Sequence, residues 1–133
     1  MNASISVDAA RRARILVVDD EPMILDLVRS FLVKGGYDVL TAPNGEQATA
    51  IFRSNPDIDL LLTDLVMPKM NGIELAHRLS EMYGSVRVLF ITGYSQEQAG
   101  SQAANTVHKP FTSDQLLVAV RAALVRTPGL SGG

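Results

Sequence analysis

Three aspartates, a threonine and a lysine stand where short apolar runs end. Asp19 and Asp20 follow ILVV, Asp64 follows LLLT, Thr92 follows VLFI, and Lys109 follows TVH. In an open parallel α/β sheet the carboxyl ends of the strands share one edge, where such folds bind ligands. Adjacent acids inside a strand face opposite ways, but past a strand end both can turn into one mouth. Carboxylates so close repel, and a cation relieves that repulsion. An all-oxygen set with few protein groups suits Mg2+, which is octahedral at about 2.0–2.1 Å and keeps several waters. A lysine ammonium beside it can meet both a carboxylate and a phosphoryl oxygen. Capping or solvation accounts for any one of these acids; it does not account for three on one edge.

The elements that would position them are well punctuated. RILVV, YDVLT, DLLLT, VRVLFI and NTVH read as five strands. The first, third and fourth are nearly continuous Val, Leu and Ile, as strands covered on both faces require. YDVLT alternates more and belongs nearer a sheet edge. Between them lie amphipathic stretches, the signature of βα units. The first starts at Pro22, carries Ile24, Leu27, Val28 and Phe31 on one face, and stops at Gly35-Gly36. The second follows Asn44, turns Ala48, Ile51 and Phe52 inward, and ends before Pro56. The third follows Asn71-Gly72 with Leu75, Leu79 and Met82 inward and ends by Gly84. The last opens with Thr112-Ser113-Asp114-Gln115, a capping-box pattern, and buries Leu117, Val120 and Leu124. Between Thr92 and Lys109 the apolar pattern thins, so any helix there is short and opens easily.

The 133 residues fit one domain with a real core: a tail over residues 1 to 13, the domain over 14 to 126, and a tail over 127 to 133. A net charge of -2 makes no electrostatic case for nucleic acid or an anionic membrane surface. No apolar stretch approaches the ~20 residues that span a bilayer, and the N-terminus lacks a signal-peptide pattern. With no cysteine, the chain suits a reducing compartment, and a cytoplasmic location is expected.

The segments LVVDDE, LLLTDLVMPKMNG, VLFITGYS and HKPF resemble the receiver domains of two-component response regulators and phosphorelays. The resemblance runs over about residues 14 to 126, and the GYS after Thr92 is similar to receivers of hybrid sensor kinases. It implies a flavodoxin-like, doubly wound sheet of five parallel strands with helices on both faces. It further implies a phosphoacceptor switch rather than a turnover enzyme. Asp64 matches the aspartate that takes a phosphoryl group from a phosphohistidine on a sensor histidine kinase or histidine phosphotransfer protein. Asp20 matches the direct Mg2+ ligand, Asp19 its partner acting through water, and Val66 the residue whose backbone carbonyl completes the metal site. Thr92 matches the hydroxyl that bonds the phosphoryl group. Lys109 matches the lysine that meets its oxygens, before a cis proline at Pro110. The signal would leave through a downstream protein.

Two departures follow from the same resemblance. The aromatic that many receivers carry three residues before the lysine is here Thr106. The stretch from Thr92 to Lys109 is also shorter by about one helical turn, so the helix between the fourth and fifth strands is expected to be short or absent. Val66 and Tyr94 flank the site with apolar and bulky groups that should hinder an attacking water and lengthen the life of an acyl phosphate. A rival reading is a haloacid-dehalogenase-like phosphatase, which also joins Asp, Thr, Lys and Mg2+. That class wants DxD and an acid two residues after the nucleophile, where this chain has DD and Val66. A receiver-like binding module without phosphorylation is the other alternative. Bland readings suit the rest: Arg11, Arg12 and Arg14 as a solvated flank, Asp57 and Asp59 as solvated turn residues, His77 as surface, His108 as a lone histidine without metal partners, and Met67 and Met70 as packing around the acceptor loop.

Overall fold

Near-continuous aliphatic strands need cover on both faces, and the chain provides it. The computed structural model describes residues 12–93 and 105–125. Five parallel strands, β1 (Arg14–Val18), β2 (Asp38–Ala42), β3 (Leu60–Asp64), β4 (Val88–Thr92) and β5 (Thr106–His108), form one sheet in the order β2-β1-β3-β4-β5. Its helices among the described residues are α1 (Pro22–Lys34), α2 (Gly45–Ser54), α3 (Gly72–Tyr83) and α4 (Ser113–Leu124). This is the doubly wound arrangement expected, with β3 in the middle and β2 at an edge. The expectation of a short or missing helix between the fourth and fifth strands falls outside the described residues, as do Tyr94 and most of both tails.

Strand parity splits the core into two layers. Ile15, Val17, Leu60, Leu62, Leu89, Ile91 and Val107 pack with α1 and α4, whereas Leu16, Val18, Leu61, Val88 and Phe90 pack with α2 and α3. Each fully buried large aliphatic contributes roughly 1.5–3 kcal/mol, and a one-residue slip would move a whole strand to the wrong layer. Register, and so the position of each strand's last residue, is therefore strongly specified.

The strand and helix ends lie within about two residues of their sequence reading. Helix phase is less faithful. Leu27 and Met82, expected inward, are exposed, and Leu32 takes the buried place on α1. On α4 Val120 is buried as expected, but Leu116 and Ala123 take the places expected of Leu117 and Leu124, which are only partly covered. Three apolar residues in a row, LLV, let either neighbour serve the core, and packing made the choice. Arg14 is not a solvated flank. Its guanidinium lies 3.0 Å from Asp38 and 3.1 Å from Asp57, and its backbone N–H donates to Asp59 at 2.8 Å. These contacts tie the start of β1 to β2 and to the segment before β3.

Candidate functional site

The site begins where the central strands stop. β1 ends at Val18, and the Asp19 N–H continues the ladder to the Ala42 carbonyl at 3.2 Å. Asp19 is fully buried, Asp20 exposed at the rim, so the adjacent acids occupy different depths of one mouth. The Glu21 N–H donates to Asp19 Oδ1 at 2.9 Å, which fixes the carboxylate against the entry to α1.

Asp64 ends β3 and is 3% exposed. The loop that follows is held from two sides. Leu65 N–H donates to the Ile91 carbonyl at 2.9 Å, and Gly72 N–H donates to the Leu65 carbonyl at 2.8 Å. A Cβ on Gly72 would stand 2.4 Å from the Asp64 carbonyl oxygen, so only glycine lets α3 start this close to Asp64. A reciprocal capping box between Asn71 and Glu74 secures that helix start. Met67 is buried and Met70 packs against the same core, as the sequence suggested.

Lys109 enters from the other side. Its N–H donates to the Thr92 carbonyl at 2.7 Å, and the Lys109–Pro110 peptide is cis. Its Nζ lies 3.7 Å from Asp19 Oδ2, 3.9 Å from Asp64 Oδ2 and 3.4 Å from Glu21 Oε1. One oxygen each of Asp19, Asp20 and Asp64 fall within 4.8 Å of one another. Four of the sequence-predicted residues, Asp19, Asp20, Asp64 and Lys109, thus converge, and Thr92 is joined to Lys109 through the backbone. Val66 lies just past Asp64 with its side chain half exposed, and Thr106 stands beside Phe90 across the β4–β5 register.

The electrostatics follow from this crowding. Burial pushes the Asp64 carboxyl up to about 6, helped by the neighbouring Asp19 charge; Lys109 and the Val66 backbone N–H oppose the rise. Burial likewise raises Asp19, against the pull of the Glu21 N–H and Lys109. For Lys109, burial pulls downward, but Asp19, Asp64 and Glu21 outweigh it and hold the ammonium above its ordinary value. Two buried carboxylate oxygens, Asp19 Oδ2 and Asp64 Oδ1, accept no hydrogen bond among the described residues. Buried anionic oxygens left in that state are costly. An acidic pair plus a third carboxylate with unfilled oxygens fits a hard divalent cation.

Two residues escaped the sequence reading. Glu21 joins the cluster around Lys109, and its signal was only the third acid of DDE. His108 Nδ1 lies 2.9 Å from Thr92 Oγ1, directly opposite it in the β4–β5 register. A lone histidine carries no pattern, and only register reveals that contact.

Residues 15–121 match the response regulator receiver domain family. The chain is 38% identical over 122 residues to the DNA-binding dual master transcriptional regulator RpaA of Synechocystis, covering 86% of this chain and 50% of that protein. It is 33% identical over 117 residues to the response regulator receiver protein CpdR of Brucella abortus, covering 84% of this chain and 97% of that protein. It therefore spans about half of RpaA and nearly all of CpdR. Among solved structures, a response regulator receiver domain protein from Clostridium thermocellum superposes with a TM-score of 0.77 at 30% identity, covering 84% of this chain and 94% of that one. Acids and a lysine gathered at the ends of β1, β3 and β5, a fold shared with that solved structure, and the match over residues 15–121 lead to one conclusion: the chain belongs to the response regulator receiver domain family.

Proposed function

We propose that this domain is a phosphoacceptor switch in which Asp64 takes a phosphoryl group from a phosphohistidine in a Mg2+-dependent step. The observation that carries the reading is Lys109 Nζ standing 3.7 and 3.9 Å from two buried aspartates that share one mouth with a third. Asp19, Asp20, Asp64 and the Val66 backbone carbonyl are the groups that would hold the ion. When bound, Mg2+ supplies the positive charge that lets an anionic carboxylate approach an anionic phosphoryl group.

The residues do the rest. An Asp64 carboxylate oxygen attacks phosphorus, forming an O–P bond as the N–P bond of the donor histidine breaks. The leaving imidazole nitrogen keeps the electron pair and takes a proton from solvent. Asp64 needs no general base, because the carboxylate carries no proton above its pKa of about 6. Lys109, held as the ammonium by its three carboxylate neighbours, pairs with the transferred oxygens. The sheet edge aligns the reactants. Phosphorylated Asp64 then offers new acceptors to the Thr92 hydroxyl, and the loop after β4 shifts between two arrangements separated by a few kcal/mol.

Exposed apolar residues on α1 support a docking path for the donor there. Met23 is 82% exposed and Leu27 42% exposed, and Leu27 also lines an apolar cleft of about 400 Å³ with Ile24, Lys109, Pro110 and Phe111. An apolar face beside the catalytic lysine suits a docking sensor histidine kinase or histidine phosphotransfer protein. The domain is not a turnover enzyme in this reading. A haloacid-dehalogenase-type phosphatase needs an acid where Val66 stands, to protonate the leaving group. The signal passes to a downstream protein in the cytoplasm; nucleic acid and membrane are not partners of this domain. No helix among the described residues is long and apolar enough to cross a membrane.

Incubation with Mg2+ and acetyl phosphate should load one phosphoryl group per chain, and p-nitrophenyl phosphate should not be turned over. Sustained ester turnover would favour the phosphatase; no loading at all would favour a binding module.

A further inference from the structure

The Thr92 side chain is fully buried, and among the described residues its hydroxyl has one side-chain partner, His108 Nδ1 at 2.9 Å. A buried hydroxyl proton needs an acceptor. Among the described residues, Nδ1 is the only acceptor bonded to this hydroxyl. Were Nδ1 protonated and donating instead, the Thr92 proton would be left buried with no partner among the described residues. The consistent arrangement has Thr92 donating to Nδ1 and the ring's own proton on Nε2, at the exposed side of the edge strand β5.

Thr92 has a single hydroxyl proton. It cannot be given to Nδ1 and to a phosphoryl oxygen on Asp64 at the same time. We propose that His108 is a latch that holds the Thr92 hydroxyl in the unphosphorylated state, and that its release is how the phosphoryl group is read on the β5 side of the molecule. This rests on the phosphoacceptor reading above. A charged phosphoryl oxygen is a stronger acceptor than a neutral imidazole, so phosphorylation draws the hydroxyl away and leaves the ring unpartnered. The freed ring borders a cleft of about 550 Å³ between β5 and α4, which it lines with Thr106, Asp114 and Val118. The latch acts from the residue next to Lys109, two positions beyond Thr106. His108 is therefore a positioning residue: it acts through Thr92 and touches no reacting atom.

The test uses beryllofluoride, a phosphoryl mimic, with Mg2+. In His108→Ala the hydroxyl is already free, so beryllofluoride should bind roughly 2- to 12-fold more tightly than to the wild type, the equivalent of one ordinary hydrogen bond. His108→Asn, whose carboxamide oxygen can take the place of Nδ1, should return the affinity toward wild type. In a Thr92→Ala background, His108→Ala should change nothing. In the wild type, the His108 ring nitrogens should show the Nε2–H tautomer, and the Nδ1 resonance should move on beryllofluoride binding. If His108→Ala leaves the affinity unaltered, or shifts it equally with and without Thr92, the latch is overturned while the phosphoacceptor reading stands. If the wild-type protein binds no beryllofluoride in Mg2+, the phosphoacceptor reading fails, and the latch with it.

Discussion

Asp64 is 3% exposed, faces buried Asp19, and is held up at about 6 chiefly by burial. That combination makes a poor structural residue and suits the proposed acceptor role, because burial penalises the ionised form until a neutralising partner binds. Its folded pKa stands above the unfolded value of about 3.8, so folding takes up a proton between these limits. The stability that protonated Asp64 contributes is full below about pH 4 and lost as pH rises through about 6. Asp64→Asn, which cannot ionise, should therefore raise the melting temperature at pH 7.5 without Mg2+, by roughly 3–6 °C. It should also abolish phosphoryl loading, and calorimetry with a loading assay would check both. Val66, half exposed beside the acceptor, presents an apolar side to any attacking water. Val66→Asn should shorten the life of the aspartyl phosphate several-fold, read as phosphate release from the loaded protein; equal rates would remove any role for that side chain. His108 shows the limit of reading residues singly. As one histidine in a sequence it is unremarkable, and it gains meaning only opposite Thr92.

At the scale of elements, the strand ends were readable because each is punctuated by chemistry. Aliphatic runs stop at Asp19, Asp64, Thr92 and Lys109, and the helix starts carry Pro22, Asn44, Asn71 and Thr112. Helix phase was less readable, since runs such as Leu116-Leu117-Val118 offer more than one apolar face. Side-chain contacts between elements were unreadable, because Glu21 with Lys109, or Arg14 with Asp57, depends on packing that spacing does not encode. Gly72 makes the link between element and site concrete. Its Cβ position is occupied by the Asp64 carbonyl, a backbone atom that cannot swing aside. Gly72→Ala should cost about 1–3 kcal/mol and displace the acceptor loop, slowing loading beyond what reduced stability alone explains. On α1, Leu27→Asp should leave loading from acetyl phosphate intact and slow transfer from a phosphohistidine protein about tenfold, the equivalent of roughly 1.4 kcal/mol of lost docking energy. Loss of both activities together would mean that α1 supports the fold rather than the donor.

For the molecule as a whole, the sheet places an energetic conflict at its carboxyl edge: three acids within 4.8 Å, balanced by one lysine. The two aliphatic layers on either side hold the edge rigid enough to maintain it. Anything that binds the folded state and neutralises those acids should stabilise the whole domain by linkage. Mg2+ should therefore raise the melting temperature more at pH 7.5, above the Asp64 value of about 6, than at pH 5, below it. The fold and the gathering of Asp19, Asp20, Asp64 and Lys109 were legible in the sequence because apolar register and strand-end chemistry both leave local marks. The contact between Thr92 and His108 was not, since it joins two side chains on neighbouring strands and leaves no mark in spacing. The most direct measurement is to load the protein with acetyl phosphate in Mg2+, reduce with borohydride, and map the product by mass spectrometry. Aspartyl phosphate becomes homoserine under those conditions, and the account predicts homoserine at position 64 alone, lost on chelation of Mg2+. Homoserine at another aspartate, or a phosphoryl group carried on a side chain other than a carboxylate, would contradict it.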